Sequence, residues 1–191
     1  MIPKIAVFAS GNGSNAQNIA EYFNKRKTAI VDSFFTNNPK AYVIERAKAL
    51  KIPYFIFNKQ EFYHSEKIIN LLKQRGIQYI VLAGFLWLIP QNILKEFSQR
   101  VINIHPALLP AYGGKGMYGQ YVHKAVIKNK EKISGITIHI VNEEYDKGKI
   151  LFQATCPVYP DDTPKTLEKR VHQLEYHYYP LIIEKLINNK I

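Results

Sequence analysis

The sequence predicts an α/β protein: a mostly parallel twisted sheet with helices on both faces, ending in an antiparallel hairpin and a long C-terminal helix. Two observations carry this. From Ile5 to Ile104, short apolar runs alternate with segments of helical periodicity, the pattern of a doubly wound parallel sheet. After Pro110 the pattern changes. Two long strand-like runs, 133–141 and 150–158, are separated only by the turn 142–148, which is the spacing of a hairpin.

The elements follow in order. Ile5 to Ala9 reads as a buried strand, and Ser14 or Asn15 is placed to cap a helix carrying Ile19, Ala20, Tyr22 and Phe23. A second strand covers Ile30 to Thr36, followed by a helix through Tyr42, Ile44, Ala47 and Leu50. Tyr54 to Phe57 is a third strand, and the helix with Ile68, Ile69, Leu71 and Leu72 stops at Gly76. Ile77 to Ala83 is the fourth strand, Pro90 opens a short helix, and Val101 to Ile104 is the fifth strand. A glycine-rich loop from Pro110 to Gly119 leads to a helix from about Gln120 to Lys130. Asp161-Asp162-Thr163-Pro164 is a helix start, with Thr163 as cap and Pro164 in the first turn.

At 191 residues one domain is expected, divided into a nucleotide-binding half, 1–100, and a catalytic half, 101–191. No segment reads as a signal peptide or a membrane span, since the first apolar run halts at Gly11. A single cysteine, Cys156, excludes an internal disulfide and a Cys-rich zinc site and fits a cytoplasmic protein. The formal charge of +11 favours anionic partners. Its lysines are scattered among acids, however, and form no dense basic arm, so a nucleic-acid partner is not expected.

Three stretches carry chemistry. In Val101-Ile102-Asn103-Ile104-His105-Pro106, alternation along a strand puts Asn103 and His105 on one face where the strand ends. An amide donor beside an imidazole suits a developing oxyanion, and Pro106 restricts the backbone of His105. Gly11-Asn12-Gly13-Ser14-Asn15-Ala16 has the spacing of a phosphate loop at a helix N-terminus. A dinucleotide site would also need an acid at the end of the second strand. That position falls near Asn37-Asn38-Pro39, with Asp32 too early, so a single phosphate is the better guest. Finally, the apolar run Leu86-Trp87-Leu88-Ile89 after the fourth strand reads either as core or as the lining of a slot for a flat ring.

Glu143-Glu144-Tyr145-Asp146 places acids on the hairpin turn, and Asp146 is the one best placed to orient a catalytic imidazole. His139, alternating with apolar residues on the long strand before that turn, is either a site residue or a buried structural one. The other histidines show no metal-ligand spacing with Cys or acids, and no metal is expected.

Together, SGNGSN after the first strand, then LAGF, NIHPALLP, the D-x-G hairpin and the Q-x-E-x-x-x-YP helix span nearly the whole chain. In that order they resemble the phosphoribosylglycinamide formyltransferases, the folate-dependent enzymes of purine (IMP) biosynthesis. The resemblance implies a Rossmann-like domain that moves a formyl group from 10-formyltetrahydrofolate, a cosubstrate, to the amine of glycinamide ribonucleotide. It places the catalytic residues on Asn103, His105 and Asp146, and the ribonucleotide site on Gly11, Asn12, Gly13, Ser14, Asn15 and Glu175. The folate site falls on Leu86, Trp87, Leu88, Ile89 and Asn103 and on the turn Asn142, Glu143, Glu144, Tyr145 and Asp146. The implied chemistry is amine attack on the formyl carbon. Asn103 and protonated His105 meet the oxyanion, and Asp146 keeps His105 charged and aimed. Because the donor is an activated amide, no metal is implied. Small-molecule substrates, no membrane, and a monomer or homodimer complete the expectation.

The chain departs from the family in lacking basic residues at Trp87, at Ala111 and around Tyr63-His64-Ser65. Other formyl-folate enzymes, a methionyl-tRNA formyltransferase or a formyltetrahydrofolate hydrolase, resemble longer proteins with an added C-terminal barrel or N-terminal regulatory domain. A basic nucleotide- or RNA-binding module is the reading from a different class, but the chain shows no aromatic RNA-binding strand or basic recognition helix.

Overall fold

A computed structural model describes residues 2–191. The strands are β1 (Lys4–Phe8), β2 (Ile30–Thr36), β3 (Tyr54–Ile56), β4 (Tyr79–Leu82), β5 (Val101–His105), β6 (Ile133–Ile140) and β7 (Ile150–Pro157). They form one seven-stranded sheet in the order β3-β2-β1-β4-β5-β6-β7. The pairings of β1 with β2 and β4, and of β2 with β3, are parallel, whereas β6 and β7 form the expected antiparallel hairpin. The chain divides into two compact units, one up to Ile102 and one from Asn103, so the boundary falls inside β5.

In the first unit the helices are α1 (Ser14–Arg26), α2 (Val43–Leu50), α3 (Lys59–Tyr63), α4 (Lys67–Gln74) and α5 (Gln91–Glu96). Ile5, Ala6, Val7 and Phe8 are fully buried, as a strand covered on both faces requires. Phe8 stacks on Phe35 of the neighbouring strand with ring centroids 4.7 Å apart. Ala16, Ile19, Ala20 and Phe23 of α1 are buried at helical spacing. Ser14 and Asn15 do not cap this helix. Gly13 occupies the cap position with a left-handed backbone, φ 72°, and makes no side-chain cap bond.

The second unit contains α6 (Gln120–Lys128) and α7 (Pro164–Ile187) beside the hairpin. The start of α7 is as expected: Thr163 accepts a bond from the Thr166 N–H in a capping box, with Pro164 following. Its buried stripe runs Leu167, Val171, Glu175, Tyr179 and Ile183 at four-residue steps. A carboxylate in the middle of a core stripe costs desolvation unless something holds it. Here the ring of His172 meets Glu175 at 2.7 Å.

Candidate active site

The second unit brings Asn103, His105 and Asp146 together. Asn103 and His105 lie two residues apart on β5, and the turn after β6 carries Asp146 back to them. Gly148 makes that turn possible, because a Cβ there would lie 1.6 Å from the Ile140 carbonyl oxygen. His105 Nδ1 is 3.4 Å from Asp146 Oδ2, and Asn103 Nδ2 is 3.5 Å from Asp146 Oδ1. His139 joins them. Its Nδ1 lies 2.9 Å from the Ile140 carbonyl, which can only accept, so Nδ1 carries a proton, and its Nε2 lies 3.1 Å from Asn103 Nδ2 and 3.6 Å from Asp146 Oδ1. By the same logic His105 donates from Nε2 to the Tyr112 carbonyl at 2.7 Å.

Burial dominates the electrostatics. His105 is 3% exposed, and desolvation lowers its proton affinity below the usual histidine value. Asp146 and the Tyr112 carbonyl oppose that shift without reversing it. In the empty site burial of the ring thus works against the charged form of His105, and Asp146 works for it. A second proton arriving on His105 would enter at Nδ1, facing Asp146. Burial also raises the Asp146 carboxyl, but the His139 ring, the His105 ring once it is protonated and the Gly114 N–H, 2.9 Å from Oδ2, outweigh it and hold the group below the usual carboxylate value. The cluster is thus a carboxylate kept ionised beside an imidazole that can accept a proton. Its polar atoms are turned on one another, and the 3.5 Å bond from Asn103 to Asp146 is its weakest link.

In the first unit, Gly11, Asn12, Gly13, Ser14 and Asn15 form the turn from β1 into α1. Gly11 and Asn12 are exposed, whereas Gly13 and Asn15 are buried. The loop is braced from α2. A Cβ on Gly13 would meet Val43 Cγ2 at 2.4 Å, and the Val43 N–H donates to the Gly11 carbonyl at 3.1 Å. Arg46 donates from Nε to the Asn12 carbonyl at 2.8 Å and from Nη2 to Asn12 Oδ1 at 2.7 Å, and it also bonds Gln17. Asp32, the acid too early for a dinucleotide site, is held by Arg75 and Ser33, while Asn38 donates to the Ser10 carbonyl at 3.3 Å. No acid stands where a ribose of NAD would need one, which favours a single anion at this helix N-terminus.

The folate candidates divide. Ile89 is core at 4% exposure, and Leu86 is exposed, with its N–H donating to Ser10 Oγ at 3.0 Å. Trp87 packs among Phe57, Phe62, Tyr63 and Phe85 at 5.9 to 6.3 Å, and Leu88 offers its carbonyl to the Tyr63 hydroxyl at 3.0 Å. On the hairpin turn Asn142, Glu143 and Glu144 are exposed and Tyr145 is half-buried. Asn142 shapes the turn, accepting from the Glu144 N–H at 3.1 Å and donating to the Lys147 carbonyl at 3.2 Å. Among the described residues no cluster of His, Cys, Asp and Glu could hold a metal ion.

A family model described as "Formyl transferase" matches residues 3–183. The chain belongs to the formyl transferase family. Within curated proteins it is 40% identical to the chloroplastic phosphoribosylglycinamide formyltransferase of Arabidopsis thaliana, over 98% of this chain and 66% of that protein. It is 38% identical to the phosphoribosylglycinamide formyltransferase of Bacillus subtilis, over 98% of this chain and 97% of that one. The chain thus spans just under two thirds of the plant relative's length and nearly all of the bacterial one. Among solved structures, phosphoribosylglycinamide formyltransferase from Anaplasma phagocytophilum superposes with a TM-score of 0.89 at 29% identity, covering 100% of this chain and 90% of that one.

Membership in the formyl transferase family leaves several neighbours of these residues that motif reading did not single out. Arg46 sits in an ordinary amphipathic helix, 34 residues from Asn12, and nothing local marks it. Tyr112 acts through its carbonyl, which side-chain identity does not reveal. His139, which strand alternation allows as either a site or a structural residue, lies in the cluster.

Proposed function

We propose that this chain transfers a formyl group from 10-formyltetrahydrofolate to the amine of N1-(5-phosphoribosyl)glycinamide, a step of de novo purine biosynthesis. The observation that carries the proposal is the convergence of Asn103, His105 and Asp146 in one polar cluster, with His105 buried and the other two half-buried, in a chain of the formyl transferase family.

The amine attacks the formyl carbon, and a tetrahedral intermediate develops negative charge on oxygen. Asn103 leaves its long bond to Asp146 and turns an amide N–H to that oxyanion. His105, neutral while the site is empty, takes up the proton that the attacking nitrogen sheds. Its imidazolium then faces an ionised Asp146, so charge appears on the ring where a carboxylate is already waiting. The proton passes on to the leaving folate nitrogen. Folate chemistry supplies the activated formyl amide, and protein groups supply the stabilisation.

Binding is assigned as follows. Gly11, Asn12, Gly13, Ser14 and Asn15 take the ribonucleotide phosphate at the N-terminus of α1, with Glu175 on its hydroxyls. Leu86 to Ile89 and Asn142 to Asp146 take the folate, with Leu86 and the exposed turn as the reachable groups. The two units then act as nucleotide-binding and catalytic halves of one formyltransferase domain.

The test mixes the protein with both substrates and follows folate absorbance and product mass. Formylated ribonucleotide is the expected product. Folate consumption that proceeds equally without ribonucleotide would mean hydrolysis instead.

A further inference from the structure

The glycine-rich loop begins at a residue that is not glycine yet takes a glycine's backbone. Tyr112 has φ 57°, in the left-handed region that a bulky L residue rarely adopts. Something must over-determine that conformation. The phenol does so: its hydroxyl donates to Glu131 Oε1 at 2.7 Å and accepts from Asn129 Nδ2 at 2.9 Å. Both partners lie at the end of α6, where the Glu131 N–H is itself tied to the Val126 carbonyl at 3.2 Å. On the other side of the same residue, the Tyr112 carbonyl takes the His105 Nε2 proton at 2.7 Å, and two residues on the Gly114 N–H reaches Asp146 Oδ2 at 2.9 Å. One short strip of backbone therefore touches both members of the His–Asp pair.

We propose that Tyr112 is a positioning residue for His105: its phenol, latched to Glu131 and Asn129, sets the backbone carbonyl that decides which imidazole nitrogen carries the proton. The consequence for chemistry is specific. With Nε2 committed to the carbonyl, Nδ1 is the nitrogen that gains and loses the catalytic proton, and it faces Asp146 at 3.4 Å. If the latch opens, the ring can exchange tautomers and Nδ1–H can bond Asp146 in the neutral state, which removes the vacancy the mechanism needs. The phenol is suited to stay protonated in this role, because partial burial and then the Glu131 carboxylate push its ionisation above the usual tyrosine value. The other ionisable groups that His105 feels are Asp146 and His139 from the hairpin, Glu175 from α7 and His123 from α6, and none of these touches Tyr112 Oη.

This inference rests on the formyl-transfer reading for its kinetic arm and on ring titration for its independent arm. Tyr112→Phe and Glu131→Gln, both conservative, are compared with the parent chain by nitrogen NMR of the His105 ring and by steady-state kinetics. The expected result is a shift of the neutral ring away from the pure Nε2–H tautomer, and a titration midpoint displaced to lower pH because the bond favouring the charged ring is loosened. With it come a kcat lowered about tenfold, KM for both substrates within about twofold, and a double variant no worse than either single one. Ring resonances and midpoint unchanged in both variants would overturn the proposal, whatever happens to thermal stability. A fall in kcat with an unmoved ring would likewise overturn it and assign Tyr112 to loop packing. If His105→Ala kept its turnover, the formyl-transfer reading would fail, while the ring titration would still decide the latch.

Discussion

The loop at residues 11–15 and the cluster around His105 are both polar arrangements at the ends of strands, and they are built in opposite ways. The loop faces outward. Its cap residue is a glycine, and its rigidity comes from behind, through Val43 and the guanidinium of Arg46. The cluster faces inward, with Asn103 bonded to His139, His105 and Asp146 tied to the backbone of Tyr112 and Gly114, and only 3% of His105 exposed. The difference teaches what each can do when a ligand arrives. A braced loop at a helix N-terminus binds an anion without rearranging, so its contribution belongs to affinity. A self-satisfied cluster must exchange partners, so its contribution belongs to the transition state.

Three predictions press on that contrast, taken from the largest effect to the smallest. Asp146→Asn removes the charge that faces His105 while keeping the shape of the turn. It is expected to lower kcat by on the order of 10²-fold or more, with KM nearly unchanged. A KM effect alone would place the cluster in binding and erase the distinction. Arg46→Gln loosens the loop without touching the cluster. Because the guanidinium is only partly buried, about 1 kcal/mol is at stake, read as a roughly fivefold rise in KM for the ribonucleotide at constant kcat. A matching loss of kcat would show that the two regions are not separable in function.

The smallest effect is a titration. The folded His105 takes its proton below 6.5, the unfolded histidine value, mainly because it is desolvated. The unfolded chain then binds that proton first, so His105 subtracts stability as pH falls from 6.5 toward its folded midpoint. His172 has the opposite sign. Its bond to Glu175 raises it, so its stabilisation is fully present below 6.5 and is lost as pH rises through its folded midpoint. NMR should place the two midpoints on opposite sides of 6.5, and a His105 midpoint above it would mean that Asp146 outweighs burial after all.

How much was legible in the sequence follows from how local each feature is. The alternation of Asn103 and His105, the glycine spacing of 11–16 and the Thr163-Pro164 helix start are set within a few residues, and the structure has each where the spacing puts it. Asp146 was legible because a tight hairpin turn can return only to its own strand ends. The cap of α1 was misassigned, because the presence of Ser14 and Asn15 does not reveal that Gly13 already holds the left-handed position. The run Leu86 to Ile89 was ambiguous for a similar reason. Whether Trp87 lines a slot or packs depends on Phe57, Phe62 and Tyr63, which approach from more than twenty residues away. The carboxylate beside His105 can be inferred from a motif, whereas the depth of burial that opposes its charge cannot.

The central claim, that the inward-facing cluster performs formyl transfer, is tested most directly by single-turnover rates with saturating 10-formyltetrahydrofolate and glycinamide ribonucleotide. Asn103→Ala, His105→Ala, Asp146→Ala and the triple variant are compared with the parent chain at equal folded concentration. Each single variant is expected to lose on the order of 10²-fold or more, and the triple variant little beyond the worst single one, since groups acting as a unit are not additive. Near-parental formyl transfer by His105→Ala would contradict the account.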